Sequence, residues 1–211
     1  MKKIFFFSSI IVIMLLLSCN STSLISSWKA PDASAEKYGK VLVIGMTGEK
    51  DRELRETVES AVAEKLHAYG LNAVTATSQY GPAAFKNMNE DAAVKQVNDN
   101  GFDGVLVVAL LDKEKERSYT PGYLSTTPYA VVRNRWYGGY RVLYDRVYTP
   151  GYYTTQTNYT LEANFYDTKQ DKLVYSAQTR SFDPASASAL AGDFSKTIVS
   201  DMSDKGLIAK G

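Results

Sequence analysis

Residues Val105-Leu106-Val107-Val108-Ala109-Leu110-Leu111 form an apolar run with no polar break. A strand with one face in water alternates polar and apolar residues, so a run of this kind belongs in the middle of a sheet covered on both faces. Val41 to Met46 is a second such run, with β-branched Val41, Val43 and Ile44, and it ends at Thr47-Gly48. Between the two runs the period changes. Leu54, Val58, Ala61, Val62, Leu66 and Tyr69 mark one stripe of a helix that starts near Asp51, which can cap it, and stops at Gly70. Leu71 to Thr77 returns as a strand, Gly81-Pro82 breaks the chain, and a second helix runs from its N-cap Asn89 to Asn100, with Gly101 as its stop. The order βαβαβ with right-handed crossovers predicts a short parallel sheet.

Residues 158–182 are of another kind. Tyr159, Leu161, Ala163 and Phe165 alternate with polar neighbours, Asp167 to Asp171 turns the chain, and an alternating strand follows to Phe182. This is a hairpin with one covered face. A last helix, about Ser186 to Lys205, carries Leu190, Phe194, Ile198 and Met202 at intervals of four, and Gly206 closes it. The expected fold class is α/β (α+β): a three-strand βαβαβ core, a β-hairpin and a C-terminal helix, about five strands and three helices in all, plus an extended Tyr-rich hairpin insert.

The start of the chain fixes its destination. Lys2 and Lys3 precede an apolar stretch, Ile4 to Leu17, interrupted only by Ser8 and Ser9, which reaches Leu16-Leu17-Ser18-Cys19. The stretch is about 14 residues, short of the roughly 20 that cross a bilayer as a helix, and it ends in a small residue before a cysteine. It resembles a bacterial lipoprotein signal. That resemblance implies a signal peptide over 1–18, a diacylglycerol on the Cys19 thiol and an acylated, palmitate-type amino terminus. The same resemblance, with Asn20 in place of the Asp that marks inner-membrane retention in many such lipoproteins, implies the outer membrane, and the absence of an acidic cluster after Cys19 favours a periplasm-facing domain. The anchor makes membrane lipid the first partner. Residues 19–39, rich in Ser, Thr and Ala, are expected to be a tether that becomes ordered near Trp28, with 40–211 a single α/β domain.

Composition removes several functions. The chain has 24 basic and 23 acidic residues, and loss of Lys2 and Lys3 leaves 22 against 23, a formal charge of −1. That balance gives no nucleic-acid footprint. One Cys and one His argue against zinc, iron–sulfur and Ser/His or Cys/His chemistry, so no metal and no cofactor are expected. Gly45-Met-Thr-Gly48 sits where a phosphate loop would but lacks the Gly-Lys-Ser/Thr ending, and reads as a turn into the helix. His67 reads as a surface or half-packed residue, and Arg55 with Glu59 as a solvated ion pair at i, i+4. Asp112, Glu114 and Glu116, alternating with Lys113, Lys115 and Arg117, read as a charge zipper on an exposed strand.

The unusual segment is the insert, 113–157. Ten of the fifteen tyrosines lie between 118 and 159, together with Trp136 and with Arg133, Arg135, Arg141 and Arg146 against the one acid Asp145, a local charge of 4 − 1 = +3. Tyr119-Thr-Pro-Gly-Tyr123 recurs as Tyr148-Thr-Pro-Gly-Tyr152 near the other end. The repeat predicts two matched bends where an extended arm leaves the sheet and returns, with Trp136 to Tyr140 near its tip. Tyr, Trp and Arg dominate interface hot spots. The candidate binding residues are therefore Tyr123, Arg133, Arg135, Trp136, Tyr137, Tyr140, Arg141 and Tyr152, with an envelope protein as partner. The alternative is glycan or peptidoglycan, since aromatic planes also stack on sugar rings. A third reading, an envelope hydrolase, has no nucleophile and base pair behind it, and the chain is expected not to be an enzyme.

Several short segments carry a wider likeness: Ser27-Trp28-Lys29-Ala30-Pro31, Val41 to Gly45, Arg55 to Glu59 followed by Gly70, Gly101-Phe102-Asp103-Gly104-Val105-Leu106-Val107, Leu173-Val174-Tyr175-Ser176, and Gly206-Leu207-Ile208. Together, over residues 27–208, they resemble a group of uncharacterised envelope lipoproteins with an α/β domain and a Gly/Tyr-rich middle. More distantly the layout is similar to the α/β domains of the curli secretion lipoprotein and of outer-membrane activators of peptidoglycan synthases. The resemblance implies an assembly or activator role and brings no catalytic residues.

Overall fold

The computed structural model describes residues 21–33, 38–85, 88–133 and 140–209, and of residues 90, 127–133 and 140–144 the backbone alone. Two compact units form, one of residues up to 113 with 158–211, the other of 114–157. A six-stranded sheet has the order β1 (Thr22–Lys29), β8 (Lys172–Phe182), β7 (Tyr152–Asp167), β4 (Gly104–Thr120), β2 (Val41–Met46), β3 (Ala73–Thr75). Strand β2 pairs parallel with β3 and with β4, whereas β8 pairs antiparallel with β1 and with β7. The helices are α1 (Arg52–Ala68), α2 (Ala76–Tyr80), α3 (Glu90–Asp99) and α4 (Ala187–Asp204). A two-stranded sheet of β5 (Tyr123–Arg133) and β6 (Tyr140–Thr149) belongs to the second unit. The fold is mixed α/β of the α+β kind.

Burial explains the apolar runs. Val41 and Val43 of β2 and Leu106 and Val108 of β4 join a core with Leu54, Val58, Val62 and Leu66 of α1 and Leu190, Phe194, Ile198 and Met202 of α4. The alternate residues Leu42 and Val105 join a second cluster with Ala76, Val97 and Phe102. Each fully buried side chain of this size adds about 1.5–3 kcal/mol relative to exposure. On β7 and β8 the odd residues Leu161, Ala163, Phe165, Tyr175 and Ala177 are buried, and the even ones between them face solvent in part. Helix α1 ends in a left-handed turn at Gly70, φ 81°, with the Gly70 N–H donating to His67 O.

The structure corrects several expectations. The tether is not a tether beyond Thr22: Thr22–Lys29 is an edge strand, paired from Thr22↔Ser181 to Lys29↔Tyr175 with a bulge between Leu24 and Ser26. That bulge breaks the alternation that would have announced it. Strand β3 is shorter than Leu71–Thr77, because the Thr75 hydroxyl accepts from Ser78 N and starts α2 in its place. Asp51 makes no side-chain cap on α1. Its carboxylate takes the Lys113 ammonium at 2.5 Å. Eight strands and four helices stand among the described residues: the five strands, three helices and hairpin insert expected, with edge strand β1 and the short helix α2 added.

Candidate functional site

In the second unit, the two Tyr-Thr-Pro-Gly-Tyr copies form one structure. Pro121-Gly122 links β4 to β5 and Pro150-Gly151 links β6 to β7. Tyr123 is paired with Thr149 and Leu124 with Tyr148, so the two bends lie side by side. Glycine is required at both: a Cβ on Gly122 would stand 2.6 Å from Thr149 O and 2.7 Å from Gly151 N. The contacts are reciprocal. The Tyr148 hydroxyl lies 3.0 Å from the Cβ position of Gly122, and the Tyr119 hydroxyl lies against that of Gly151. The first tyrosine of each copy thus covers the glycine of the other.

The outer surface of this crossing is aromatic. Tyr119, Tyr123, Tyr148, Tyr152 and Tyr153 are between 53% and 66% exposed. The Tyr119 and Tyr153 rings meet at 4.7 Å, and the Arg117 guanidinium lies 4.1 Å from the centre of the Tyr153 ring. A tilted ring contact and a cation–π contact join these three side chains. Arg146 N–H donates to the Asp145 carboxylate at 2.9 Å. Away from the bends the register continues to Arg133↔Tyr140 and Val132↔Arg141, with an irregularity between Pro128 and Ala130, where proline can donate no ladder bond.

Of the residues expected from sequence to bind, Tyr123 and Tyr152 stand at the crossing with exposed rings. Arg133, Tyr140 and Arg141 are placed by backbone in β5 and β6. Arg135, Trp136, Tyr137 and the lipidation residue Cys19 lie outside the described residues. Sequence reasoning passed over Tyr119, Tyr148, Tyr153 and Arg117; the repeat itself was the signal that could have found the first two.

Elsewhere the candidate chemistry is structural. Glu59 is buried, and its two oxygens accept from Gly45 N–H at 2.9 Å and Thr77 N–H at 3.1 Å. The solvated Arg55–Glu59 pair expected from spacing is therefore corrected: Glu59 ties β2 to α2, and Arg55 donates to Pro82 O at 2.8 Å. The same bond occupies the Gly45 N–H that a phosphate loop would need. His67 Nε2 contacts the Ala73 carbonyl at 2.6 Å. A cleft of about 290 Å³ is lined by Lys50, Asp51, Lys113, Tyr159 and Ser186 among others, with the Lys113–Asp51 pair across it. The hydrogen bond that Lys113 donates to the Asp51 carboxylate raises the Lys113 pKa, so the ammonium stays charged. Among the described residues no group of three or more His, Cys, Asp or Glu could hold a metal ion, and no helix is long and apolar enough to cross a membrane.

No family model matches the chain, including any for the envelope lipoproteins that residues 27–208 resemble, and no curated protein matches it. Among solved structures it is similar to a PelC dodecamer from Paraburkholderia phytofirmans, at 13% identity and TM-score 0.48 over 90% of this chain and 99% of that one. It is also similar to the lipoprotein GNA1162 from Neisseria meningitidis, at 15% identity and TM-score 0.42 over 79% of this chain and 99% of that one.

Proposed function

We propose that this protein is a lipid-anchored, non-catalytic component of the outer membrane, facing the periplasm, that holds another envelope protein through its Tyr/Arg-rich arm. The observation that carries the reading is the crossing of the two repeats. Five exposed tyrosines and Arg117 gather on a backbone that two prolines and two closely packed glycines stiffen. A rigid aromatic surface loses little side-chain entropy on binding, which is why Tyr and Arg anchor interfaces. The signal ending at Cys19 supports the location, and the excess of arginine over acid in the arm supports an acidic or mixed partner surface.

The test is photo-crosslinking in intact cells from a probe at position 123, with a probe at Glu64 on α1 as control. A discrete protein adduct from 123 and none from 64 is the expected result. A glycan ligand is the second reading, favoured by the exposed ring planes of Tyr119 and Tyr153. Under it the crosslink to protein is absent and the soluble form starting at Asn20 co-sediments with isolated peptidoglycan.

A further inference from the structure

Among the described residues Tyr119 and Tyr153 are the one pair of tyrosine rings in contact; each of the other ring pairs, Tyr38 with Phe165 and Tyr80 with Phe85, contains a phenylalanine. The two centres stand 4.7 Å apart with the planes tilted by 42°, and both residues are exposed, Tyr119 to 53% and Tyr153 to 60%. At that spacing carbon atoms of the two rings lie at van der Waals contact, about 3.5–4.0 Å. Exposure opens the pair to an oxidant arriving from solvent.

The place of the pair in the chain gives the contact a consequence. A bond between residues 119 and 153 closes a loop over 120–152, which holds both Pro-Gly bends and the whole of β5 and β6. Among the described residues those two strands pair only with each other, and a two-stranded sheet by itself is marginally stable in water. Exported chains brace thin elements with disulfides, because closing the loop lowers the entropy of the unfolded segment. This chain has a single cysteine, Cys19, which lies outside the arm.

We propose that Tyr119 and Tyr153 are a site of oxidative modification, where a dityrosine link staples the chain at the point at which it enters and leaves the β5–β6 hairpin. Each phenol gives up one electron and one proton, and the unpaired electron of the phenoxyl so formed is shared with the ring carbons next to the C–O bond. Two of those carbons, one from each ring, join. The proton on each then moves to the oxygen of its ring, which restores both phenols. The two electrons and two protons removed in the first step reduce one hydrogen peroxide to two waters, with a haem peroxidase as the one-electron carrier. The proposal does not depend on what the arm binds.

The test treats the full chain, in detergent micelles, with hydrogen peroxide and a haem peroxidase, and isolates the monomer so that links between molecules are left out. Cleavage after Arg and Lys puts Tyr119 in the peptide 118–133 and Tyr153 in the peptide 147–169. The expected product is these two peptides joined, lighter than their sum by two hydrogens, with fragmentation placing the bond at 119 and 153. Tyr119→Phe and Tyr153→Phe keep both rings but cannot form one of the phenoxyls, so each should abolish the product, whereas Tyr123→Phe with Tyr148→Phe should retain it. In the linked monomer the amides of β5 and β6 should exchange roughly tenfold more slowly than in the unlinked one, as loop closure requires. Joined peptides that persist in Tyr119→Phe, or no joined peptide from the wild-type monomer, overturn the site. Unchanged exchange in β5 and β6 of the linked form overturns the staple.

Discussion

Gly122 and Gly151 meet backbone to backbone: a Cβ on Gly122 would stand 2.7 Å from the Gly151 nitrogen, and a Cβ on Gly151 2.8 Å from the Gly122 nitrogen. A flexible side chain could swing away from such a clash, but a peptide group in a paired bend cannot. Gly122→Ala and Gly151→Ala should therefore each destabilise the arm by roughly 1–3 kcal/mol, as overpacking does. Hydrogen exchange is the readout. Amides of β5 and β6 should lose protection in both variants while those of β2 and α4 keep theirs, and unchanged protection in β5 and β6 would mean that the bends do not depend on this contact.

The surface tyrosines should behave in the opposite way. Tyr123→Ala with Tyr152→Ala removes two exposed rings that the core does not use, so the melting temperature should move by less than about 2 °C, in line with surface substitutions within ±0.5 kcal/mol. If the crossing is the binding surface, the same double variant should lower capture of the partner at least tenfold, the equivalent of about 1.4 kcal/mol. Capture at the wild-type level from a correctly localised variant would move the binding surface elsewhere.

Glu59 offers a test of the body rather than the arm. The residue is 2% exposed, and its carboxylate joins two backbone N–H groups from separate elements, Gly45 and Thr77. Hydrogen bonds to a charged group contribute about 1.5–3 kcal/mol, and a buried donor left alone costs about as much. Glu59→Ala should lower stability in urea by roughly 2–4 kcal/mol, whereas Glu64→Ala, on the exposed side of the same helix, should change it by less than about 0.5 kcal/mol.

The reasons the sequence spoke clearly in some places and not in others are visible at particular residues. Val41 to Val43 and Val105 to Val108 announced central strands because burial on both faces leaves no polar position, whereas Met46 and Leu111, at the ends of the same apolar runs, are exposed. Strand β1 was hidden because Thr22, Ser23, Ser26 and Ser27 have linker composition and the bulge at Ile25 breaks the period. Helix α2 is five residues long, too short for a 3.6-residue period to register. Glu59 looked like half of a surface pair because spacing shows which residues share a helix face but not what the next element brings to it. The repeat was legible as two bends; that each bend covers the glycine of the other is a three-dimensional fact with no local signature.

Tyr175 and Asp201 give the last prediction. The Tyr175 ring is fully buried and its hydroxyl donates to Asp201 Oδ2 at 2.8 Å. Burial, first, and the neighbouring carboxylate push the Tyr175 pKa well above that of a free tyrosine, so the folded protein keeps this proton where the unfolded chain releases it. A raised folded-state pKa stabilises fully below the unfolded value, near 10, and that stability is lost as pH rises beyond it. One retained proton corresponds to a slope of up to about −1.4 kcal/mol per pH unit above pH 10. Tyr175→Phe should remove this contribution from the alkaline limb while lowering stability at pH 7 by about 1–3 kcal/mol, because Asp201 loses its donor. Urea titrations of both forms from pH 7 to 11 decide it. Parallel alkaline limbs would show that Tyr175 does not carry the linkage and would leave Lys113, which Asp51 also holds protonated, as the group to substitute next.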